Sequence, residues 1–164
     1  MKLLHGSYMD IQEPDLSFCH SKTDFGKGFY LTTDWRRAWL MGKRKSELMG
    51  INNPTVNVFL FYESQAIDNG CNIKKFKGFT LEWGRFILAN RDNEGFIHNY
   101  DIVIGPVADE AVNRKIEEHK ETYGDNYLED YAIRDFINQV TQFGTNYVQY
   151  CFCTQLAINQ LIKS

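Results

Sequence analysis

The sequence predicts an α+β domain rather than a doubly wound parallel sheet. Segments with strand character and segments with helix character mix without strict alternation, and several strands are close enough in sequence to pair antiparallel. No repeat, low-complexity segment or linker interrupts the chain, whose three prolines lie at positions 14, 54 and 106. We therefore expect one domain over residues 1–164, long enough to bury a core.

The first half of the chain is predicted to be rich in strands. Aromatic and β-branched residues follow one another at residues 29–33, which favours a strand there. Asp34 then caps a proline-free segment of good helix formers. The prediction for this half is a strand at 2–5, a long loop to about 26, a strand at 29–33, a helix at 35–49, a strand at 56–62 and a shorter strand near 72–76.

The second half is predicted to be mostly helical, with two strands. The apolar run within "YDIVIGPVADE" predicts a buried strand that passes into a helix. The prediction for this half is a helix at 81–90, a strand at 101–107, a helix near 108–119, a helix at 128–140, a strand at 147–153 and a short helix at 155–162.

Composition and charge exclude several functional classes. A net charge of −3 provides no global basic field, so wholesale attraction to nucleic acid is not implied. The local basic run at residues 43–45 is interpreted as a solvated helix face, with a nucleic-acid contact as the alternative.

No segment approaches the roughly 18 apolar residues of a membrane span, and the N-terminus is too short and polar for a signal peptide. We expect a soluble, cytoplasmic protein without a membrane partner.

The four cysteines are expected to be reduced, small, buried residues. Their spacing matches neither a metal knuckle nor a disulfide scaffold, and no metal is implied. Cys151 and Cys153 alternate along a predicted strand, so both sulfurs lie on one face. A redox pair at these two positions is the alternative interpretation.

The segment "DFGKGFYLTTD" at residues 24–34 resembles a phosphate loop only superficially. Phosphate loops run from their glycines directly into a helix N-terminus. Here the glycines run into a strand instead, so a nucleotide loop of that type is not indicated.

Three short pieces, far apart in sequence, fit one known pattern. "LLHGS" ends the first strand with His5 and Gly6, "FGKGFYLT" places Tyr30 on the second strand, and "VQYCFC" places Gln149 at the start of the last strand. In order and spacing this set resembles the ADP-ribosyltransferase superfamily, in its poly(ADP-ribose) polymerase-like branch. The resemblance implies a split, mixed or antiparallel sheet with flanking helices, and NAD as co-substrate.

A closer resemblance, over nearly the whole chain, is to the bacterial domain of unknown function DUF3990, which is assigned to that superfamily. Its members share an H-G-S start, D-F-G-K-G-F-Y-L-T, D-I-V-I-G-P-V-A-D and a closing Q-Y-x-F strand. These motifs stand here at residues 5–7, 24–32, 101–109 and 149–152.

The resemblance assigns roles to the first motif. Breaking the bond between nicotinamide and ribose leaves an oxocarbenium-like cation, so the site must hold a flat leaving group and orient the riboses. Gly6 would offer its backbone N–H and C=O to the nicotinamide amide, with relief of a strand end as the alternative. His5 would bind ribose hydroxyls and is otherwise a core histidine, and Ser7 completes the cofactor-binding motif.

The second and third motifs complete the expected site, with His5, Tyr30 and Gln149 as the catalytic residues. Tyr30 would stack on nicotinamide, Gly28 would let the preceding loop approach closely, and Trp39 is the candidate second stacking ring. A core aromatic is the alternative for Tyr30. Gln149 stands where relatives have a glutamate that stabilises the ribosyl cation, and glutamine accepts a hydrogen bond but carries no charge. The replacement of glutamate by glutamine argues against elongation of an ADP-ribose polymer.

The resemblance therefore predicts an NAD-dependent mono-ADP-ribosyltransferase that modifies an unknown protein or nucleic-acid acceptor. Relatives suggest a toxin or phage-defence effector with an antitoxin partner. Two alternatives remain, a catalytically inactive module that binds NAD or ADP-ribose, and a protein-interaction domain.

Tyr147 occupies the place of the second acidic or amide residue of arginine-directed relatives, so arginine specificity is unsupported. Asp101, Asp109 and Glu110 would either line a substrate cleft or be solvated carboxylates.

Overall fold

The computed structural model describes residues 1–93, 95–141 and 147–164. Within them, seven strands form one mixed sheet in the order β4-β5-β6-β2-β1-β3-β7. The strands are β1 (Lys2–Ser7), β2 (Phe29–Thr32), β3 (Thr55–Leu60), β4 (Ile73–Lys75), β5 (Ile102–Pro106), β6 (Val148–Phe152) and β7 (Ile162–Lys163). Only β4 and β5 pair in parallel, and the other neighbours are antiparallel.

Six α-helices flank this sheet in the described part of the chain. They are α1 (Trp35–Leu48), α2 (Glu63–Asp68), α3 (Leu81–Asp92), α4 (Val112–Tyr123), α5 (Asp130–Val140) and α6 (Gln155–Ile158), with short 3-10 turns at Leu16–Phe18 and Gly124–Asn126. The Asp34 side chain caps α1 by accepting the Arg37 N–H at 2.7 Å, and the Thr80 hydroxyl caps α3 in the same way. The predicted α+β class, with a mixed sheet and flanking helices, is confirmed.

Two local predictions were wrong, and one helix was not predicted. The segment at 63–68, which had no assignment, forms α2. The last helix stops at Ile158 instead of 162, and Ile162–Lys163 forms β7 on the edge of β3. The helix predicted to begin near 108 begins at Val112 and continues to Tyr123. Edge pairing of β7 depends on partners about a hundred residues away, which no local pattern reports.

The core has two parts, one on each face of the sheet. On one face, α3, α4 and α5 pack over a cluster that includes Phe25, Trp83, Ile133 and Phe136. On the other face lie Leu3, Phe29, Leu31, Phe59, Phe61 and Phe152, covered in part by Ile11 and Leu16 of the long first loop. Strand alternation therefore sends Tyr30 and Phe29 to opposite faces.

Helix α1 packs unusually close to β1 because both surfaces present glycine. A Cβ on Gly6 would lie 1.9 Å from the Ala38 carbonyl oxygen and 2.5 Å from the Gly42 nitrogen. The buried stripe of α1 is correspondingly small, consisting of Ala38, Gly42 and Ser46. This contact holds α1 against the end of β1 where the first motif lies.

Replacing Gly6 by alanine is expected to lower the free energy of unfolding by about 1–3 kcal/mol, since the methyl group forces α1 away from β1. Chemical denaturation checks this. The matched control is Gly42→Ala, whose Cβ would lie 3.0 Å from its nearest neighbours, the Ser7 and Thr55 carbonyl oxygens. There the gain in helix propensity, about 1 kcal/mol, offsets the crowding. Equal effects of the two variants would contradict the close-packing argument.

Candidate functional site

The sheet opens between β1 and β2 beside the first motif. These two strands pair only at Leu4 and Thr32, whereas β1 pairs with β3 along its whole length. Met1 and Phe61 exchange both backbone hydrogen bonds, at 2.8 and 2.9 Å. Because antiparallel bonds alternate along a strand, the backbone N–H and C=O of Gly6 must face β2 rather than β3. We call the gap between residues 5–7 of β1 and residues 29–30 of β2 the β1–β2 split.

His5 bridges the β1–β2 split with its side chain. Its Nδ1 lies 2.7 Å from the Tyr30 carbonyl oxygen, which can only accept, so Nδ1 carries the proton. In the neutral ring Nε2 is then an acceptor, and it lies 3.0 Å from the Lys45 Nζ. The ring also stacks on Phe29, with centroids 4.2 Å apart. In a continuous β1–β2 ladder a backbone N–H would donate to the Tyr30 carbonyl oxygen. Here the His5 ring N–H takes its place.

The surroundings of His5 keep it neutral. Burial, and secondly the positive charge of Lys45, lower the pKa of His5 from 6.5 to about 3, against the opposing effect of the bond to Tyr30. At physiological pH the ring is therefore a fixed donor at Nδ1 and a fixed acceptor at Nε2.

The neutrality of His5 predicts a pH dependence of stability. Its folded-state pKa lies below the unfolded value, so the unfolded chain binds the proton more tightly. The stabilisation is therefore complete above about pH 6.5 and is lost as the pH falls towards 3. At about 1.4 kcal/mol per pKa unit, the loss amounts to a few kcal/mol.

Denaturation of the wild type and of His5→Asn between pH 7 and pH 4 measures this effect. The asparagine amide keeps a donor for Tyr30 but does not titrate, so the two stability curves should converge at low pH. Carboxylates titrate in both proteins and cancel in the difference. Parallel curves would show that His5 does not titrate as inferred.

Lys45 reaches from α1 into the β1–β2 split. Its Nζ donates to the Gly6 carbonyl oxygen at 3.0 Å as well as approaching His5. Burial lowers the pKa of Lys45, and no carboxylate among the described residues forms a salt bridge with it. The interpretation of residues 43–45 as a solvated run was wrong for Lys45, although Lys43 and Arg44 are exposed.

The Tyr30 hydroxyl forms hydrogen bonds that hold the loop preceding β2 in place. It donates to the Gly26 carbonyl oxygen at 2.8 Å, accepts from the Phe25 N–H at 3.0 Å and lies 2.8 Å from the Thr23 hydroxyl. Burial raises the pKa of Tyr30 well above its usual range. Residues 23–26, which we call the 23–26 loop, are thus held by the Tyr30 hydroxyl.

Gln149 belongs to a buried polar network centred on Asp24. The Gln149 Nε2 donates to Asp24 Oδ2 at 2.7 Å. The same carboxylate forms an ion pair with Arg91 at 2.7 Å and accepts the Ala108 N–H at 3.0 Å. Asp24 is only 4% exposed, so its hydrogen bonds and its ion pair must offset the cost of burying the carboxylate. The bond also fixes the orientation of the Gln149 amide, whose Oε1 accepts no hydrogen bond from the described residues.

The remaining residues of the expected site differ in their surroundings. Ser7 is buried at the end of β1. Gly28 packs against β6, since a Cβ there would lie 2.4 Å from the Cys151 sulfur. Trp39 is 40% exposed on the outer side of α1, with the Lys43 Nζ 5.7 Å from its ring centroid. Trp39 thus stands apart from the other predicted residues.

The structure brings the three motifs together through shared partners. His5 and Tyr30 meet at the Tyr30 carbonyl, and the side chains of Tyr30 and Gln149 both hold the 23–26 loop. Register places Tyr30 opposite Cys151 and Thr32 opposite Gln149, so Tyr30 and Gln149 share one face of the sheet. The His5 ring lies on the other face, with Phe29.

Two of the three carboxylates considered as cleft residues have structural partners. Asp101 accepts the Asn72 N–H at 2.8 Å and the Thr154 hydroxyl at 2.6 Å. Asp109 accepts the Ala111 N–H at 2.8 Å and pairs with Lys115 at 2.9 Å. Glu110 is exposed. Asp101 and Asp109 therefore hold their own loops together.

Sequence reasoning missed Lys45, Asp24 and Arg91 as residues of this region. Asp24 opens the second motif and was visible there, but nothing marked it as the partner of Gln149. Arg91 lies in the last turn of α3 without any motif.

No helix in the described ranges has both the length and the apolar character needed to cross a membrane.

Fold and site together define an α+β domain with a mixed sheet that opens beside a histidine-glycine pair. The chain belongs to the family described as "Protein of unknown function (DUF3990)", whose model matches residues 1–162. Comparison with curated proteins and with solved structures found no match.

Proposed function

We propose that this protein is an NAD-dependent mono-ADP-ribosyltransferase. The observation that carries the proposal is the Gly6 backbone at the β1–β2 split. Its carbonyl oxygen faces away from β3 and takes an N–H donor from a side chain, Lys45, rather than from a strand. A carboxamide such as that of nicotinamide offers the same kind of donor, together with an acceptor for the Gly6 N–H.

The reaction would transfer ADP-ribose in one displacement. The bond between the nicotinamide nitrogen and ribose C1′ breaks, and nicotinamide leaves with the electron pair. An acceptor atom forms the new bond to C1′ and loses its proton. The Oε1 of Gln149 would supply an uncharged hydrogen-bond partner for a ribose hydroxyl, which would orient the sugar without neutralising the developing cation. His5, whose two ring nitrogens are bonded to Tyr30 and Lys45, would act by holding the β1–β2 split and Lys45 in place.

The neighbouring Asp24 explains why a glutamine suits position 149. A glutamate there would place a second carboxylate at hydrogen-bond distance from Asp24, whereas the amide donates to Asp24 and still presents Oε1. The departure from the acidic residue of the transferase superfamily therefore has a local structural reason. It favours slow mono-transfer over chain elongation, since no base is supplied.

A module that binds NAD without cleaving it is the second candidate. The uncharged Gln149 favours it, because an amide stabilises the developing cation less than a carboxylate would. The acceptor of the transferase, whether protein or nucleic acid, and an antitoxin that restrains it remain parts of the proposal that rest on the resemblance.

Nicotinamide release from NAD, with and without cell lysate, tests the proposal. NAD labelled in its adenylate half, followed by protease or nuclease treatment, identifies the acceptor class. Gln149→Ala is expected to lower release by roughly 10²-fold or more, the size of losing one preorganised contact to the transition state. The matched control is Gln155→Ala, an exposed glutamine on α6. Binding of NAD without release would favour the binding module, and no binding would favour a protein-interaction domain.

A further inference from the structure

Two cysteines at the end of β6 lie in contact. The Cys151 and Cys153 sulfurs are 3.4 Å apart, on the same face of the strand. All four cysteines of the chain are free thiols in this structure. Cys151 is fully buried, with its sulfur against Gly28, whereas Cys153 is partly exposed just beyond the last residue of β6. Cys153 is thus the more exposed of the two residues, and the Cys151 sulfur is in contact with its sulfur.

The two thiols differ in acidity. Contact with the Cys151 thiol lowers the pKa of Cys153 from 9.0 to about 6, against the effect of burial. Burial raises the pKa of Cys151 well above its usual range. At neutral pH the pair therefore consists of a Cys153 thiolate that accepts a hydrogen bond and a Cys151 thiol that donates it.

The His98 ring is held in place beside this pair. Its Nε2 lies 2.8 Å from the Phe25 carbonyl oxygen and its Nδ1 accepts the Tyr100 N–H at 3.2 Å. Since a carbonyl oxygen can only accept, Nε2 carries the proton. The ring orientation is therefore fixed by the backbone and does not depend on a ligand.

We propose that Cys153 and Cys151 are an oxidisable dithiol, in which the Cys153 sulfur reduces a hydroperoxide and the Cys151 sulfur resolves the product as an intrachain disulfide. This proposal does not rest on the NAD reaction, although Cys151 lies opposite Tyr30 in the sheet. Nucleophilic thiols are partly exposed and acidic, whereas resolving thiols need only be close.

The chemistry balances in two steps. The Cys153 thiolate attacks one peroxide oxygen, the sulfur–oxygen bond forms, the oxygen–oxygen bond breaks, and the leaving alkoxide or hydroxide takes up a proton. The Cys151 sulfur, losing its proton, then attacks the Cys153 sulfenic acid and displaces its oxygen as water. Two thiols and one hydroperoxide yield one disulfide, one alcohol or water, and one further water.

The backbone permits the second step with a modest shift. A disulfide requires about 2.0 Å between sulfurs, so the two atoms must approach by about 1.4 Å. Cys153 lies outside the β6 ladder and is held by one backbone bond, from its N–H to the Asp101 carbonyl oxygen at 2.8 Å. A bridge between residues so near in sequence is strained, so mild thiols should reduce it again.

Alkylation kinetics test the first half of the proposal. At pH 7 the full-length protein is treated with iodoacetamide and each cysteine is followed by peptide mass spectrometry. Cys153 should react at least about 10-fold faster than Cys19, which is also partly exposed but whose pKa is raised by burial. Its rate should be half-maximal near pH 6. Equal rates for Cys153 and Cys19 would overturn the assignment.

Peroxide treatment tests the second half. One equivalent of hydrogen peroxide should remove two hydrogens from the peptide that carries both cysteines, and dithiothreitol should restore them. In Cys151→Ser, dimedone should instead trap a sulfenic acid at Cys153, whereas in Cys153→Ser the buried Cys151 should stay unmodified. Cys71, buried and with a raised pKa, is the internal control. Oxidation of Cys153 beyond sulfenic acid in the wild type, with Cys151 untouched, would contradict the pairing.

Discussion

Replacing Asp24 by alanine is expected to lower the free energy of unfolding by about 3–5 kcal/mol, the cost of removing one partner from a buried ion pair. The substitution leaves the Arg91 guanidinium, which is 16% exposed, without its carboxylate. It also removes the acceptor of the Ala108 N–H and of the Gln149 amide. Each of these donors is largely withdrawn from water, so solvation does not replace the lost bonds.

Urea denaturation of Asp24→Ala measures this loss. The control is Glu118→Ala, which breaks an exposed ion pair with Arg114 within α4 and should change stability by about 0.5 kcal/mol or less. Arg91→Ala alone should also be destabilising, since it leaves Asp24 charged and buried. A loss below about 1 kcal/mol for Asp24→Ala would show that the network is open to water and does not organise the site.

The second large effect is expected for Gln149→Glu. The change replaces a donor to Asp24 by a second carboxylate at the same 2.7 Å contact, so a hydrogen bond to a charged group is exchanged for repulsion. We expect a loss of about 3 kcal/mol at pH 7. The loss should shrink as the pH falls, because a proton shared between the introduced glutamate and its neighbour removes the repulsion.

The double variant Asp24→Asn with Gln149→Glu separates charge from geometry. The new asparagine amide can donate to the introduced glutamate carboxylate while its oxygen accepts from Arg91, so the repulsion between two carboxylates is removed. The Ala108 N–H loses its acceptor at the same time, so part of the lost stability, not all of it, should return. This protein is also the fair test of whether a carboxylate at position 149 raises nicotinamide release. A rise would identify Gln149 as the residue that limits turnover. If Gln149→Glu alone is as stable as the wild type, then Asp24 and Gln149 are not coupled as the structure indicates.

The distribution of partners around the β1–β2 split explains its rigidity. His5 and Lys45 bond to the backbone and to each other there, and the Tyr30 hydroxyl holds the 23–26 loop. Under the proposed function, nicotinamide would have to exchange with Lys45 at Gly6. That exchange would replace an existing hydrogen bond, so its net cost would be smaller than that of breaking the bond in isolation.

The class of fold, most of the elements and the family motifs could be predicted from the sequence alone. Local signals suffice for these: a stretch of aromatic and β-branched residues for β2, Asp34 as the cap of α1, and a continuous apolar run for β5. The sequence singled out Gly6 for a close approach to nicotinamide, which stays a prediction. The approach to α1 was not foreseen, because it depends on which helix packs there.

Long-range packing, in contrast, sets which polar groups meet. Gln149 and Asp24 are 125 residues apart, and His5 and Lys45 are 40 apart, so no periodicity within either segment reports these pairs. Lys45 looked like one member of a solvated basic run because its burial is set by the packing of α1 on β1. The same long-range reason accounts for β7, whose pairing with β3 overrode the local helix pattern after residue 158. Local sequence patterns report backbone preferences. The position of a buried charged side chain depends instead on a distant partner, whose interaction offsets the cost of removing the charge from water.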